Sequence, residues 1–492
     1  MSNKPPLIDR ALSVFAPGWA LARARDRYRL TRIEGARAEY DGATKGRRAE
    51  GWRRRGSDAN SEIGRAQKTL RDTARDMVRN IPYAARAVAV LGANTIGAGI
   101  TFQVRRNGKV DPRLHAIAKR HLESTDIDAD GRHDIYGLQL LAFRSIVEGG
   151  ASITRFRQRR LSDGLGLPFQ LQVLEPDYLD ERKHGRTADG SFVYGIEFNK
   201  IGARRAYWLF SDHPGSSVGS TISSKATPAR DVIHCFRADR AGQQHGVTWF
   251  APVILRMRDF ADFEDAELIR QKIAACHVGV VHGESDIEVT GNVENSEIEA
   301  MEPGIFWHAP DGRDVTFNSP PQTSSYSDYT KVSLRALAVG MNVSAHSLTG
   351  DLGDLNFSSG RLGWQDDQRQ IDSWQWQMFI PQWCAGVGNW LLRVFEQTGE
   401  DITGVTIDWT PPRREMINPP EDVKANRDAI RTGQKSWSRV IREAGDDPEQ
   451  VAEELAADLA RFDTLGLILD CDPRRVTSVG NPTDAGQHKE TN

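Results

Sequence analysis

The stretch that most constrains this chain runs over residues 246–276, GVTWFAPVILRMRDFADFEDAELIRQKIAAC. Pro252 suits the first turn of a helix, and neither Gly nor Pro interrupts the residues that follow it. A rise of 1.5 Å per residue then allows a continuous rod of roughly 35–40 Å. Its apolar stripe is Val253, Met257, Phe260, Ala261, Leu268 and Ala275, broken by Glu264. The other faces carry Arg256, Arg258, Asp259, Asp262, Asp265, Glu267, Arg270 and Lys272. A narrow stripe with charge nearly all round fits a helix on few neighbours better than one inside a compact core. Two readings stay open: a long solvated surface helix, or a wall element whose charged flanks meet further copies of itself.

A chain of 492 residues is expected to hold two or more domains with ample core. Hydrophobic content of 39% and charge of 27% describe a rather polar, soluble protein. Its four cysteines (Cys235, Cys276, Cys384, Cys471) form no CxxC pair, which argues against a disulfide framework or zinc ribbon and suits a reducing cytoplasm. No signal peptide is expected, and the least polar run, 87–100, is too short to span a bilayer. The net charge of −3 hides an asymmetry. Residues 1–90 hold 20 Lys+Arg against 10 Asp+Glu, leaving 44 against 57 in the remainder. Such polarity points to an anionic partner, or a neighbouring subunit's acidic surface, meeting the N-terminal part.

Residues 1–60 read as a basic arm, with Arg23, Arg25, Arg27, Arg29 and Arg32, then Arg47, Arg48, Arg53, Arg54 and Arg55. Tyr28, Tyr40 and Trp52 are interspersed, the mixture of cations and stacking groups that nucleic-acid-binding segments use. A solvated, disordered tail is the alternative. Residues 61–100 read as helical through Leu70, Ala74, Met77, Val78 and Ile81, split at Pro82. A short helix is expected over 138–148. Short apolar segments at 151–156, 169–174, 192–198, 206–210 and 232–234, with turn clusters among them, predict mainly antiparallel strands. Beyond the rod come 278–281, an acidic stretch over 284–302, and two segments, 304–308 and 315–317, flanking Pro310–Asp311–Gly312. These predict a small β-containing insertion. A second amphipathic helix over 326–340 runs through Tyr329, Val332, Ala336 and Val339, so the two helices can lie side by side with the insertion at their tip.

A loop is expected over 348–361, LTGDLGDLNFSSGR, followed by a Trp-rich helical stretch over 362–395. Trp376, Trp383 and Trp390 recur every seven residues, which places them on one core face, although Pro381 should kink or split the helix. From about residue 418 the chain reads as short helices, with Gly433 and Gly445 as C-caps and a capping box at Asp447–Pro448 with Gln450, ahead of Val451, Leu455, Leu459 and Phe462. Residues 416–475 hold 13 acids against 9 bases, the wrong balance for reading DNA, so this is a helical packing module.

The search for chemistry returns nothing. GANTIGAGI has neither Walker nor GxGxxG spacing and reads as glycines at a helix end. His234–Cys235 and Cys276–His277 are adjacent, and adjacent strand side chains point to opposite faces. Motifs of the HExxH, GxSxG and EF-hand kinds are absent. The acids of 259–267, with Asp351 and Asp354, offer a Mg²⁺ nuclease as an alternative, with no Lys or His placed beside them in sequence.

Taken in order, the chain resembles the portal proteins of tailed bacteriophages, specifically the lambda-like family. The resemblance rests on ARDMVRNIPYAARAV (74–88) with GAGI (97–100), QVLEPDYLD (172–180) and the block over 246–275. It continues through MEPG (301–304) with DVTFNSPP (314–321), then LTGDLGDLNFSSGR with IPQWC (380–384). It covers most of 65–400 and is weakest over the first 60 residues and the tail. What it implies is an α+β portal fold. Its parts would be a basic arm (1–60), a wing (61–250 and 362–415), stem helices (251–276 and 323–347) and a clip (277–322). A tunnel loop (348–361), a helical crown (416–475) and a disordered tail (476–492) would complete it. The resemblance further implies a ring of about twelve subunits at one capsid vertex of the virion, assembled in the host cytoplasm. Its partners would be double-stranded DNA, the terminase large subunit, a head–tail adaptor and the major capsid protein, with no membrane, cofactor, metal or catalytic residue. Asp351, Asp354, Asn356, Ser358, Ser359 and Arg361 of the tunnel loop would face DNA. The charges of the first stem helix would face either the channel or a neighbouring subunit.

Physical chemistry fits that placement. A channel must let a polyanion slide, and each phosphate it neutralised would strengthen adhesion. Five acids between Asp259 and Glu267 would limit sticking if they face inward; facing sideways, they would pair with a neighbour's Arg256, Arg258, Arg270 or Lys272. Another virion building block, such as a capsid or adaptor subunit, is the remaining alternative.

Overall fold

A computed structural model describes residues 18–19, 22, 25–26, 56–218, 223–275, 279–282, 314–317, 326–353, 356–412, 418–446 and 448–467. The chain divides into two units, Met1–Asp58 and Ala59–Asn492, and the architecture below is that of the second. Arg47, Arg48, Arg53, Arg54 and Arg55 lie outside the described residues, as do Asp354, Cys276, His277, Asp447, 304–308 and most of the acidic insertion.

The unit begins with two helices, α1 (Ala59–Asn80) and α2 (Pro82–Thr95). Ile81 between them is extended, as a residue before proline must be, and Pro82 occupies the first turn where a missing N–H costs nothing. The glycines after α2 have the helix-end role expected of them. Gly97 and Gly99 take positive φ (+55° and +120°), and a Cβ on Gly99 would come within 2.3 Å of the Tyr136 ring. Strands β1 (Thr101–Arg106) and β2 (Lys109–Val110) follow, then α3 (Pro112–Leu122), which the sequence reading missed. Its start signal was present: Asp111 accepts the Leu114 N–H at 3.0 Å, ahead of Pro112 in the first turn.

Helix α4 (Ile135–Gly149) is the buried centre, capped by Asp134 and closed by left-handed Gly150. Then come β3 (Ala151–Gln158), β4 (Phe169–Leu174), β5 (Gly185–Thr187), β6 (Gly190–Val193), β7 (Ile196–Asn199), β8 (Arg204–Phe210), β9 (Ser224–Pro228) and β10 (Val232–Phe236). The expected single strand over 192–198 is instead a hairpin, because Tyr194 and Gly195 both take positive φ and turn the chain. The long helix is α5 (Ile254–Ala275), followed by β11 (Gly279–His282), β12 (Asp314–Phe317), α6 (Tyr326–Gly340) and α7 (Ala345–Thr349). Next, α8 (Phe357–Trp374) runs through a π-helical segment, Gln375–Cys384, into α9 (Ala385–Gln397), and β13 (Val405–Thr410) precedes α10 (Pro419–Arg431), α11 (Trp437–Glu443) and α12 (Pro448–Leu465).

The sheets run β13-β1-β2, β10-β3-β4, β11-β12 and β5-β6-β7-β8-β9. Every paired strand is antiparallel, as the short segments and turn clusters predicted. The principal core joins α2, α4, β3 and the Trp-rich helix, with Phe143 edge-on to both Trp249 and Phe379, and Phe379 stacked on Trp383. Trp383 and Trp390 are buried, but Trp376 is half exposed, which corrects the single Trp face. The reason is the π segment around Pro381. Its i→i+5 bonds add a residue to each turn, so seven residues no longer return to the same face.

A buried ion cluster fixes α1 to the segment after β4. Arg71 Nε lies 3.1 Å from Asp177 Oδ2, Arg75 donates to the same oxygen at 2.6 Å, and Arg71 also reaches Glu181 at 3.1 Å. Burial alone would raise the Asp177 pKa, but the two guanidiniums outweigh it and hold the carboxyl below its usual range. Among the C-terminal helices, Gly433 and Gly445 take positive φ as predicted for C-caps. Leu455 is half exposed in the single chain, and only Pro448 of α10–α12 is buried.

Candidate channel-facing helix pair and loop

The anchor of α5 lies in the core. Trp249 donates its backbone N–H to Val147, and the Phe250 carbonyl accepts from both Val253 and Ile254 to start the helix. A helix of 22 residues then extends about 33 Å. Its inner face is Val253, Met257 and Phe260, all buried, with Phe260 edge-on to Tyr83 at 5.7 Å. Glu264, which interrupts the apolar stripe, bonds the Tyr83 hydroxyl; burial raises its pKa, partly offset by that bond. Past this point Glu267 is still buried, whereas Leu268, expected on the buried stripe, is half exposed, as is Ile269; nearer the start of the helix Leu255 is exposed.

Helices α5 and α6 lie side by side and antiparallel. At one end Gly340 meets Val253 so closely that an added Cβ would fall 2.2 Å from Val253 Cγ1. At the other, Phe263 packs on Tyr326 (5.9 Å) and Tyr329 (4.3 Å). The β11–β12 pair, Gly279↔Phe317 to His282↔Asp314, joins the chain leaving α5 to the chain approaching α6. The predicted stripe on α6 needs correction, however. The buried residues are Ser333, Leu334, Leu337 and Ala338, whereas Val332 and Val339 are 64% and 76% exposed. The helix has two apolar faces, and its own subunit covers the one that the spacing did not select.

The charges on α5 are left open. Glu267 is engaged by Arg270 one turn later, with Nε–Oε2 at 2.8 Å. By contrast Arg256, Arg258, Asp259, Asp262, Asp265 and Lys272 are exposed and make no ion pair among the described residues.

The expected loop over 348–361 is shorter than its glycines imply. Leu348 and Thr349 close α7, ended by Gly350 at φ +76°. Residues 357–361 form the first turn of α8, because Asn356 Oδ1 accepts the Ser359 N–H at 2.8 Å while Ser359 Oγ accepts the Asn356 N–H at 3.2 Å. Ser358, Ser359 and Arg361 are therefore helical, and the described residues that remain non-helical are 350–353 and 356, where Asp351 and Asn356 are exposed. Asp351 Oδ1 accepts the Gly353 N–H at 2.9 Å, which closes a local turn.

Among the described residues, one group of metal-ligating types converges, Glu175, Asp177 and His213. It does not suit a cation, since Arg71 and Arg75 already occupy Asp177, and His213 pairs with Glu175 at 3.2 Å. His234 and Cys235 are both buried strand residues and converge on no third ligand.

The family described as "Phage portal protein, lambda family" matches residues 45–375, well over half of the chain. The chain belongs to that portal family. It is also 26% identical over 441 residues, 83% of each chain, to a protein named "Probable portal protein" from Halomonas phage phiHAP-1. Among solved structures it is similar to a chain in the neck of an empty GTA particle (TM-score 0.47, 14% identity), covering 78% of this chain and 94% of that one. It is similar as well to an HK97 family phage portal protein from Corynebacterium diphtheriae (TM-score 0.35, 12% identity, 68% of this chain and 95% of that one). The protein is thus a phage portal, a structural component of the capsid vertex, with a mixed helix-and-sheet fold. Among the described residues, no helix of this portal chain is long and apolar enough to cross a membrane.

Proposed function

We propose that this portal chain assembles as a closed ring of about twelve copies in which α5 and α6 form the wall of a DNA channel. The observation that carries the reading is the helix pair itself: one face anchored in its own subunit, a second apolar face uncovered at Val332, Val339 and Leu268, and exposed charges of both signs beside it that make no ion pair among the described residues. Heterologous contacts between such faces close into a ring when the rotation permits. Residues 348–361 hold the tunnel loop. They narrow the channel with small and acidic residues that neither read bases nor bind phosphates tightly. The segment from β11 to β12 is the clip, which receives the terminase large subunit during packaging and a head–tail adaptor afterwards. The other three sheets and the Trp-rich helix are the wing facing the major capsid protein, and α10–α12 are the crown. The basic arm is a salt-sensitive contact to DNA or to an acidic partner.

Native mass spectrometry with negative-stain imaging tests the reading. The wild-type chain gives annular particles of about twelve subunits, and Val332→Arg with Val339→Arg shifts the population to single subunits of unchanged fold. Wild-type protein that remains monomeric at high concentration, or a double variant that still forms rings, refutes the assigned wall.

A further inference from the structure

One cleft has no part in the channel reading. Strand β10 is the edge of its sheet, paired on one side to β3 with Phe236 opposite Ala151 and His234 opposite Ile153. Backbone groups alternate sides along a strand, and two observations fix the phase here. Phe236 gives its N–H to Gln382 Oε1 and its carbonyl accepts from Gln382 Nε2, both at 3.1 Å, so Phe236 faces away from β3. On the opposite edge, the Leu171 carbonyl accepts the Ala129 N–H, which sets the same alternation through β4 and β3. The N–H and C=O of His234 and Val232 therefore also point off the sheet. The Val232 N–H is satisfied by Ala229, and the Gln382 amide stands beside Phe236 as the first peptide of an adjoining strand would. Among the described residues, no hydrogen bond reaches the His234 N–H, the His234 carbonyl or the Val232 carbonyl.

These groups open onto a cleft of about 960 Å³ between β10 and the π segment. Its chemistry is one-sided. Arg204 and Arg230 are exposed at its rim. Arg393, its guanidinium over the Phe156 ring at 4.1 Å, gives one nitrogen to Asp231 at 2.8 Å, and its Nε and Nη2 have no hydrogen-bond partner among the described residues. His234, 6% exposed, contributes two ring nitrogens that likewise have no hydrogen-bond partner among the described residues. No acidic side chain is among the described residues lining it. An unpaired strand edge accepts an extended peptide, and orphaned donors and acceptors in a buried setting are costly until one arrives.

We propose that this cleft takes an extended acidic segment of a partner protein as an added strand on β10, its backbone pairing at His234 and its carboxylates meeting Arg204, Arg230 and Arg393. Charge complementarity selects the acid. The alternating backbone donor and acceptor select a peptide over a duplex, whose exposed backbone supplies acceptors alone. The chain's own acidic stretch, 284–302, is assigned to the clip in the reading above and serves as a competitor in the test.

The experiment uses the assembled full-length chain and labelled octapeptides followed by fluorescence anisotropy. A Val/Glu alternating octapeptide binds saturably, while a Val/Lys octapeptide does not. Binding weakens by at least about tenfold in the double variant Arg204→Glu, Arg230→Glu, and similarly when two Val of the peptide become Pro, which removes N–H donors but no charge. Both arginines are exposed, and unchanged ring mass confirms that the variant is folded. Equal binding of the Pro-containing peptide makes the cleft a plain anion site and overturns the proposal. So does unchanged binding by the variant, or stronger competition from a DNA duplex than from unlabelled peptide. Tighter binding of a peptide spanning 284–302 assigns the cleft to this chain instead. A His234 amide already protected from hydrogen exchange in the assembled protein before peptide is added does the same.

Discussion

His245 gives the fold an acid-sensitive point whose size follows from its surroundings. The ring is 5% exposed, with Nε2 held 3.1 Å from the Val193 carbonyl, Tyr194 edge-on at 6.0 Å and His234 at 5.6 Å. Burial is the largest influence on its pKa and lowers it; Arg71, Arg204 and His184 lower it further, and only the Val193 bond opposes them, leaving the group at about 4. In the unfolded chain an ordinary histidine titrates near 6.5. Between those values the unfolded chain binds more protons than the native one, so stability rises with pH there and is lost as pH falls below about 6.5. At 1.36 kcal/mol per unit, the cost from this one residue is about 2 kcal/mol at pH 5 and about 3 kcal/mol at pH 4. His234 and His121, both shifted downward chiefly by burial, act in the same direction.

Carboxylates do not mimic this. Asp177, Asp180 and Asp128 are held below their usual range, so their share is lost only under more acid conditions. Half-buried Glu148 is raised, chiefly by desolvation, so as pH falls it favours the native state and opposes the histidines. The variant His245→Gln isolates the term. Urea midpoints followed by tryptophan fluorescence, at one protein concentration because assembly adds to apparent stability, give the wild-type-minus-variant difference at pH 7.5, 6 and 5. That difference moves by about 2 kcal/mol against the wild type between pH 7.5 and 5. A difference constant to within about 0.5 kcal/mol over the range would mean that His245 is hydrated or already charged in the native state.

Three further outcomes follow from packing. Arg71→Ala leaves the Asp177 carboxylate with Arg75 as its remaining cation and lowers stability by about 1–3 kcal/mol in urea unfolding, whereas an exposed control such as Arg79→Ala costs under about 0.5 kcal/mol. Gly340→Leu forces α6 off Val253, and melting of the variant falls by an amount equivalent to about 1–3 kcal/mol. Cys235 and Cys384 are wholly buried, with burial pushing both thiols up, so alkylation followed by peptide mass spectrometry labels neither until denaturant is added.

Much of the architecture was legible in residue spacing, and the failures share one physical cause. Periodicity identifies a helix and its apolar positions but not which neighbour covers them. On α6 the stripe Tyr329–Val332–Ala336–Val339 is regular, yet the subunit buries the adjoining Leu334–Leu337–Ala338 face; the helix has two apolar stripes, and a single sequence does not rank them. Trp376 left its expected face because the geometry of the helix changed locally at Pro381, where a fixed period ceases to apply. The sheet β13-β1-β2 was missed for another reason. Thr101 pairs with Thr410 across most of the chain, and no local signal records a partner so distant.

The same cause governs what could be read of function. The rod at Ile254–Ala275 stands out because it violates the pattern of a monomeric surface helix: a narrow stripe, charges of both signs and apolar residues off the stripe. In the proposed ring, those violations are the positions left for a neighbouring copy. The β10 cleft carries the converse signature, which no spacing rule registers. Arg204, Arg230 and Arg393 lie far apart in sequence and become one site only when β8, the turn before β10 and α9 converge. Unsatisfied apolar surface can be inferred from a helical period, whereas unsatisfied donors and acceptors become visible only once the hydrogen-bond partners of every neighbouring strand are known.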